Sequence, residues 1–485
     1  MLRKFISIKN CGNFIDYKGP LNKDLWNGTF SKVNTIYAEN GSGKTTLTQI
    51  FKSLSGNECD LVTKRKSLGG NGDPEVALIY TDNIIHRFNN KRWDRLLPKI
   101  RVFDSYFAEQ NVYSIFLGTY EEPGLFYDII PNGITLIGEI SELRHKRSKM
   151  SDYIYNTRSK IKRCRTAAAL ISLNKTLDSQ LGNREKLIRE IEEKTVTLNE
   201  SIALASVSFA EKINRNLSYF SPDLRVDKLH KASNHMVYDL YVRGHALRTK
   251  EIREIPLRHT LSEGDKSALS LSFFLAYIES LSDISDNIIV FDDPISSFDS
   301  RRRLATIMLL GGIAKRSRQF FLLSHDINFV SKFAGQFSKD LTMLKIEFIN
   351  RTSCLCHQDI KYETMVGFQK DLLTLQNYVG HGCFDDRERR SIATLIRPVL
   401  EGIFRIKYFM IVKDDQWLGD FIGMVRDSDE ASALYRLQPM VQDLTLLNDY
   451  SKRYHHSNPN YTDEPISDAE LRTHVDLALK TFANI

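Results

Sequence analysis

Cysteine is scarce in this chain, and continuous apolar runs are absent. Its 485 residues contain six cysteines, Cys11, Cys59, Cys164, Cys354, Cys356 and Cys383, scattered and without a framework spacing. That pattern excludes a disulfide-stapled secreted domain and fits reduced thiols. The opening MLRKFISIKNCGNF lacks the apolar core of a signal peptide, and no run of eighteen apolar residues occurs anywhere. A cytoplasmic protein without membrane contact is the expectation. Neither internal repeat nor low-complexity tract is present. Cys354, Cys356 and His357 have no second ligand pair at matching spacing, so they read as a partly buried strand and not as a metal site.

What is present suits a folded chain of several units. Hydrophobic residues make up 42% and charged residues 26%, with a net charge of +7 that permits nucleic-acid contact without identifying it. Residues 1–136 alternate in short strand-like runs such as FISIKN, VNTIYAE and EVALIYTD. Residues 137–217 change to proline-free charged stretches with helical periodicity, read as two antiparallel helices of a few turns each, turning near Leu181–Gly182. This hairpin is either a short coiled coil or an insertion packed on the rest; no Cys-x-x-Cys at its tip offers a zinc junction. Strand character returns over 218–350, and 351–485 reads as α-helical. The fold class is α/β, with a helical-hairpin insertion and a C-terminal α-helical region.

Strand VNTIYA runs into Glu39, Asn40, Gly41, Ser42, Gly43, Lys44, Thr45 and Thr46, then into the helical LTQIFKSL. A strand, a glycine-rich turn and a helix are what a phosphate-wrapping loop requires: backbone N–H groups surround the β-phosphate, Lys44 reaches the β- and γ-phosphates, and the Thr45 hydroxyl meets Mg²⁺. Ala38 stands where the first glycine of this loop usually sits. Four apolar residues, Ile288 to Phe291, lead into Asp292, Asp293 and Pro294, the pattern of a buried strand ending in carboxylates. Asp292 would hold Mg²⁺ and Asp293 would orient or deprotonate the attacking water. The pattern resembles the Asp-Glu-Pro of ABC-type ATPases with Asp293 in place of the glutamate, one methylene shorter, and the resemblance thus implies slow turnover.

Three further segments complete an ordered set. Leu261-Ser262-Glu263-Gly264-Asp265 resembles the LSGGQ signature of ABC ATPases, whose serine and glycine contact ATP on the opposite subunit. Ser296-Ser297-Phe298-Asp299 resembles the D-loop, and Ser324-His325-Asp326 the switch histidine that senses the γ-phosphate. The set resembles the SMC/ABC-type ATPases and, through AENGSGKTTL, IRVFDSYFAEQNVY, LSEGDKSALSLSFF and VFDDPISSFDS, the bacterial anticodon-nuclease family of PrrC and RloC.

The resemblance implies an ABC-type head, a homodimer or higher oligomer with ATP between heads, ATP and Mg²⁺ as cofactors, a Q-loop position near Gln110, and antiphage defence. It also implies that Arg397, Glu401 and His455 or His456 could cleave tRNA, with glutamate and histidine for proton transfer and arginine for the phosphorane. Pro398 is expected to disturb helix geometry at Arg397. The alternatives are an exposed Arg–Glu pair on a helix surface, a regulatory ATPase controlling a separate HNH nuclease as in Septu or retron systems, and an SMC-like DNA-repair or DNA-sensing ATPase.

Overall fold

The computed structural model describes the chain except residues 57, 71, 108–114, 117–124, 233–234, 249–260, 296, 384, 414 and 455–464. It divides into two compact units, Met1–Gln358 and Asp359–Ile485.

The first unit is built on a six-stranded sheet of order β15-β14-β3-β13-β12-β7, comprising β3 (Val33–Tyr37), β7 (Ile100–Phe103), β12 (Ile288–Asp292), β13 (Gln319–Ser324), β14 (Leu341–Ile349) and β15 (Thr352–His357). Neighbours pair in parallel except β14 with β15. All six residues of β13 are buried, as a strand covered on both faces requires. Its side chains alternate between two cores: Phe320 and Leu322 join one, Phe321 and Leu323 the other. Each such side chain contributes roughly 1.5–3 kcal/mol by leaving water. The second core is closed by helix α1 (Lys44–Gly56) and by an antiparallel sheet of order β2 (Phe14–Tyr17), β1 (Leu2–Cys11), β4 (Glu75–Tyr80), β5 (Ile85–Asn89) and β6 (Arg92–Trp93), in which β1 buries Leu2, Phe5 and Ile8.

The helical hairpin is longer and less symmetric than its sequence suggests. Helix α2 (Gly133–Arg163) has 31 residues and α3 (Ala167–Phe220) has 54, joined through Cys164–Thr166. At 1.5 Å per residue they extend about 46 and 81 Å. The turn expected at Leu181–Gly182 is therefore displaced. Gly182 continues the helix because a glycine in a helix interior costs only about 1 kcal/mol, whereas Cys164 and Thr166 adopt extended backbone and break it. From Leu198 onward α3 belongs to the core of the head, together with Ile137 and Ile140 of α2. Leu143, Ile154 and Ile191 are buried outside that core cluster, so only the base of the hairpin is part of it.

The helical region expected from 351 begins later, because Ile349 and Thr352 are paired across β14 and β15. Cys354 and Cys356 lie on β15 and are free thiols. The second unit contains α7 (Gly367–His381), α8 (Asp386–Lys407), α9 (Leu418–Arg426), α10 (Val441–Lys452) and α11 (Asp468–Asn484), numbered after α4 (Glu263–Ser280), α5 (Ser300–Arg316) and α6 (Ile327–Ala334) of the head. Helix α8 buries Ile392, Ile396, Val399, Leu400 and Phe404 at helical spacing within this unit's own core. Among the described residues, no helix is long and apolar enough to cross a membrane.

Candidate nucleotide site

The glycine-rich loop leaves β3 at Ala38 and enters α1 at Lys44, at the carboxyl edge of the parallel sheet. Gly41 and Gly43 have φ of +81° and +117°, and a Cβ on Gly43 would lie 2.8 Å from the Phe14 ring. Only glycine suits that turn. Two contacts from distant sequence fix its carbonyls: Asn13 Nδ2 donates to Gly41 O, and Ser353 Oγ donates to Ser42 O at 2.6 Å. Sequence reasoning missed both, since nothing near Asn13 or Ser353 marks them as partners of the loop. Lys44 Nζ is buried and donates to Ala38 O at 2.6 Å and Glu39 O at 3.2 Å. Thr45 is exposed at the first turn of α1, whereas Thr46 is buried.

Opposite the loop, β12 and β13 deliver the acidic pair and the histidine side by side. Asp293 has φ +46°; its Oδ1 accepts from His325 N at 2.9 Å and pairs with His325 Nδ1 at 2.8 Å. Its Oδ2 lies 3.6 Å from Lys44 Nζ. One carboxylate therefore links Lys44 of the loop to His325, which is 41% exposed. Burial, and then the neighbouring charge of Asp293, push the Asp292 carboxyl up to about 7, against a hydrogen bond from Thr48 and the charge of Lys44.

A divalent cation would relieve that crowding, and Asp292, with Thr45 at the start of α1, would be the residues to hold Mg²⁺. Among the described residues no group of three His, Cys, Asp or Glu could hold a metal by itself. Mg²⁺ characteristically takes one or two carboxylates together with substrate phosphates. Asp104, a buried residue not singled out in the sequence, follows β7 beside this pair; it accepts from Gln49 Nε2 at 3.0 Å and lies 3.6 Å from Lys52 Nζ, both on α1.

Ser262 caps α4, accepting from Asp265 N at 3.2 Å and donating to Asp265 Oδ2 at 2.7 Å. Burial would raise the Asp265 carboxyl, but hydrogen bonds from Ser221 and Ser262 and the Arg302 guanidinium hold it below the usual range. Arg302 also donates to Phe220 O at 2.8 Å, where α3 ends. This arginine ties the Leu261–Asp265 segment, α5 and the hairpin together. A Cβ on Gly264 would lie 2.5 Å from Arg302 Nη1, which explains the glycine. Asp299 caps α5 through Arg302 N at 2.9 Å, so in this chain its carboxylate serves the helix. Gln110 and Ser296 lie outside the described residues.

In the second unit Arg397 Nε donates to Glu401 Oε1 at 2.7 Å. The same oxygen accepts Leu418 N at 2.9 Å. The pair is not the exposed surface pair that helical spacing alone suggests, because Glu401 is 5% exposed and caps the start of α9. Nor does Pro398 disturb Arg397: α8 runs unbroken through both. Arg397 and Arg405 lie 5.5 and 5.3 Å from the Trp417 ring. His455 and His456 lie outside the described residues.

Comparison with known proteins adds three findings. The chain is similar to the crystallised Smc head domain of Pyrococcus furiosus with an extended coiled coil, bound to the C-terminal domain of ScpA: identity is 13%, coverage 77% of this chain and 99% of that one, and TM-score 0.47. For the SMC head domain of Thermotoga maritima the values are 12%, 74%, 100% and 0.30. No curated protein matches. The family model AAA_13, an AAA domain, matches residues 139–427, which take in the hairpin, Ser262, Asp292, Asp293, His325, Arg397 and Glu401. Since the match spans more than half of the 485 residues, the chain belongs to the AAA_13 family of AAA-domain proteins.

Proposed function

We propose that this chain binds Mg–ATP at the edge of β3, β12 and β13, hydrolyses it slowly, and does so between two chains paired head to tail. The convergence of Lys44, Asp293 and His325 around one carboxylate carries this reading. Lys44 would exchange the loop carbonyls and Asp293 for phosphate oxygens. Asp293 would orient water and the side of His325 away from Nδ1 would face the γ-phosphate. Ser262, exposed at a helix start, would complete the site of the other chain.

Lys44→Ala should abolish ATP hydrolysis by the purified chain, and hydrolysis at the parental rate would remove the assignment. Mixing Lys44→Ala chains with Ser262→Arg chains should restore one intact site per mixed dimer. Folded mixed dimers without recovered turnover would overturn the two-chain geometry.

The finer reading is that nucleotide turnover gates a toxic nuclease in antiphage defence. The engagement of Glu401 by Arg397 and the Leu418 N–H supports a partner nuclease over cutting by the chain itself, because that oxygen already holds two donors. Incubating the pure chain with ATP and total tRNA, then sequencing RNA ends, separates the two. Cut tRNA would return the reaction to Arg397, Glu401 and the His455–His456 segment.

A further inference from the structure

The positive charge of the head is concentrated on the far part of the hairpin. Residues 143–166 contain nine Lys and Arg and a single acid, Asp152, whereas residues 184–200 of the same hairpin carry four basic and five acidic residues. The second composition is that of an ordinary solvated helix surface, with opposite charges at neighbouring helical positions. The first is not. Lys146, Lys149, Arg158, Lys160, Lys162 and Arg163 are exposed, and none forms an ion pair among the described residues. Basic residues in the last turn favour a helix carboxyl end, which accounts for Lys160, Lys162 and Arg163 but not for Lys146 or Lys149, more than three turns earlier.

Spacing orders these groups. Lys146, Lys149, Tyr153 and Lys160 follow one another at intervals of three, four and seven, so they line one flank of α2 over about 21 Å. Tyr153 is 56% exposed in the middle of this line, where its hydroxyl can serve a phosphate oxygen. Tyr155, 72% exposed, lies two residues on and therefore faces the opposite flank. The two rings do not form the continuous platform on which successive unpaired bases stack. One flank of a two-helix arm that carries cations over about 21 Å suits instead the regularly spaced phosphates of a B-form duplex, met along the backbone without entering a groove.

The geometry points to the distal half of α2 as a surface that binds double-stranded DNA through its phosphate backbone, without sequence preference. Binding here requires neither nucleotide turnover nor the C-terminal unit, so it stands or falls apart from the ATPase reading.

The test is fluorescence anisotropy of the full chain with a labelled DNA duplex across 50–200 mM salt, with tRNA and single-stranded DNA as competitors. The K146Q/K149Q/K160Q variant should bind about tenfold or more weakly at the lowest salt, with the slope of log K against log salt shallower by about 3. Glutamine keeps helix propensity, and circular dichroism checks that the hairpin persists. K18Q/K23Q/K64Q, which removes equal charge from exposed lysines elsewhere on the head, should keep the parental slope. Parental affinity and slope in the hairpin variant, equal losses in both variants, or stronger competition by tRNA than by duplex DNA would each overturn the proposal.

Discussion

At Asp292 the fold buries a carboxyl beside a second one, and burial, then the charge of Asp293, raises its pKa from 3.8 to about 7. Between those values the native chain holds a proton that the unfolded chain has released, so the stability of the ligand-free protein falls as pH rises across this window. On the proposed assignment of Asp292 to the metal, Mg–ATP selects the ionised form and must expel that proton. Affinity for Mg–ATP should therefore rise by up to about tenfold per pH unit below 7 and level off above it. Titrations at pH 6, 7 and 8 read this directly; a flat profile would show that Asp292 does not hold the metal. Glu401 has a different task. Glu401→Gln should cost roughly 1–3 kcal/mol, because the buried charged acceptor shared by Arg397 and the Leu418 N–H becomes a neutral amide oxygen. Hydrogen exchange should show reduced protection at the start of α9 and unchanged protection in the head. An exposed ion pair would show almost no change.

Among the elements, the motif segments were legible because each packs its chemistry into a few contiguous residues at a strand end. Gly41 to Thr45, Asp292–Asp293 and Ser324 to Asp326 need no distant partner to be noticed. Their supports were not legible. Asn13, Ser353 and Asp104 meet α1 or its loop from remote positions, and Arg302 reaches Asp265 across thirty-seven residues. The hairpin turn was misplaced for the opposite reason: a glycine is a conspicuous signal, yet at Gly182 it interrupts nothing. A Cβ added there would meet no atom within 4 Å. Gly182→Ala should therefore stabilise the hairpin by roughly 0.5–1 kcal/mol, mainly by restricting the unfolded chain. Thermal melting followed by circular dichroism measures the change, and destabilisation would restore a turn at that position.

Over the whole molecule, charge divides the two units in a way the net value conceals. Residues 359–485 carry 15 Lys and Arg against 20 Asp and Glu, so the overall excess of +7 belongs to the head. The family match crosses the division between the units, from the hairpin to the end of α9, and begins after the phosphate loop. Glu401 was visible in the sequence as a residue but not as a cap, because its partner is a backbone N–H seventeen positions away. Helix α3 has a mechanical consequence of its own. It is one unbroken rod that begins at the hairpin tip and ends beside Ser221, where Arg302 fastens it to Asp265. The part of α3 before Leu198, outside the head core and about 46 Å long, magnifies small angles: a tilt of about five degrees at its base sweeps the far end through about 4 Å. A displacement at the head too slight to break a hydrogen bond thus becomes, at the tip, more than twice the spacing of about 1.7 Å between successive backbone charges along a DNA axis.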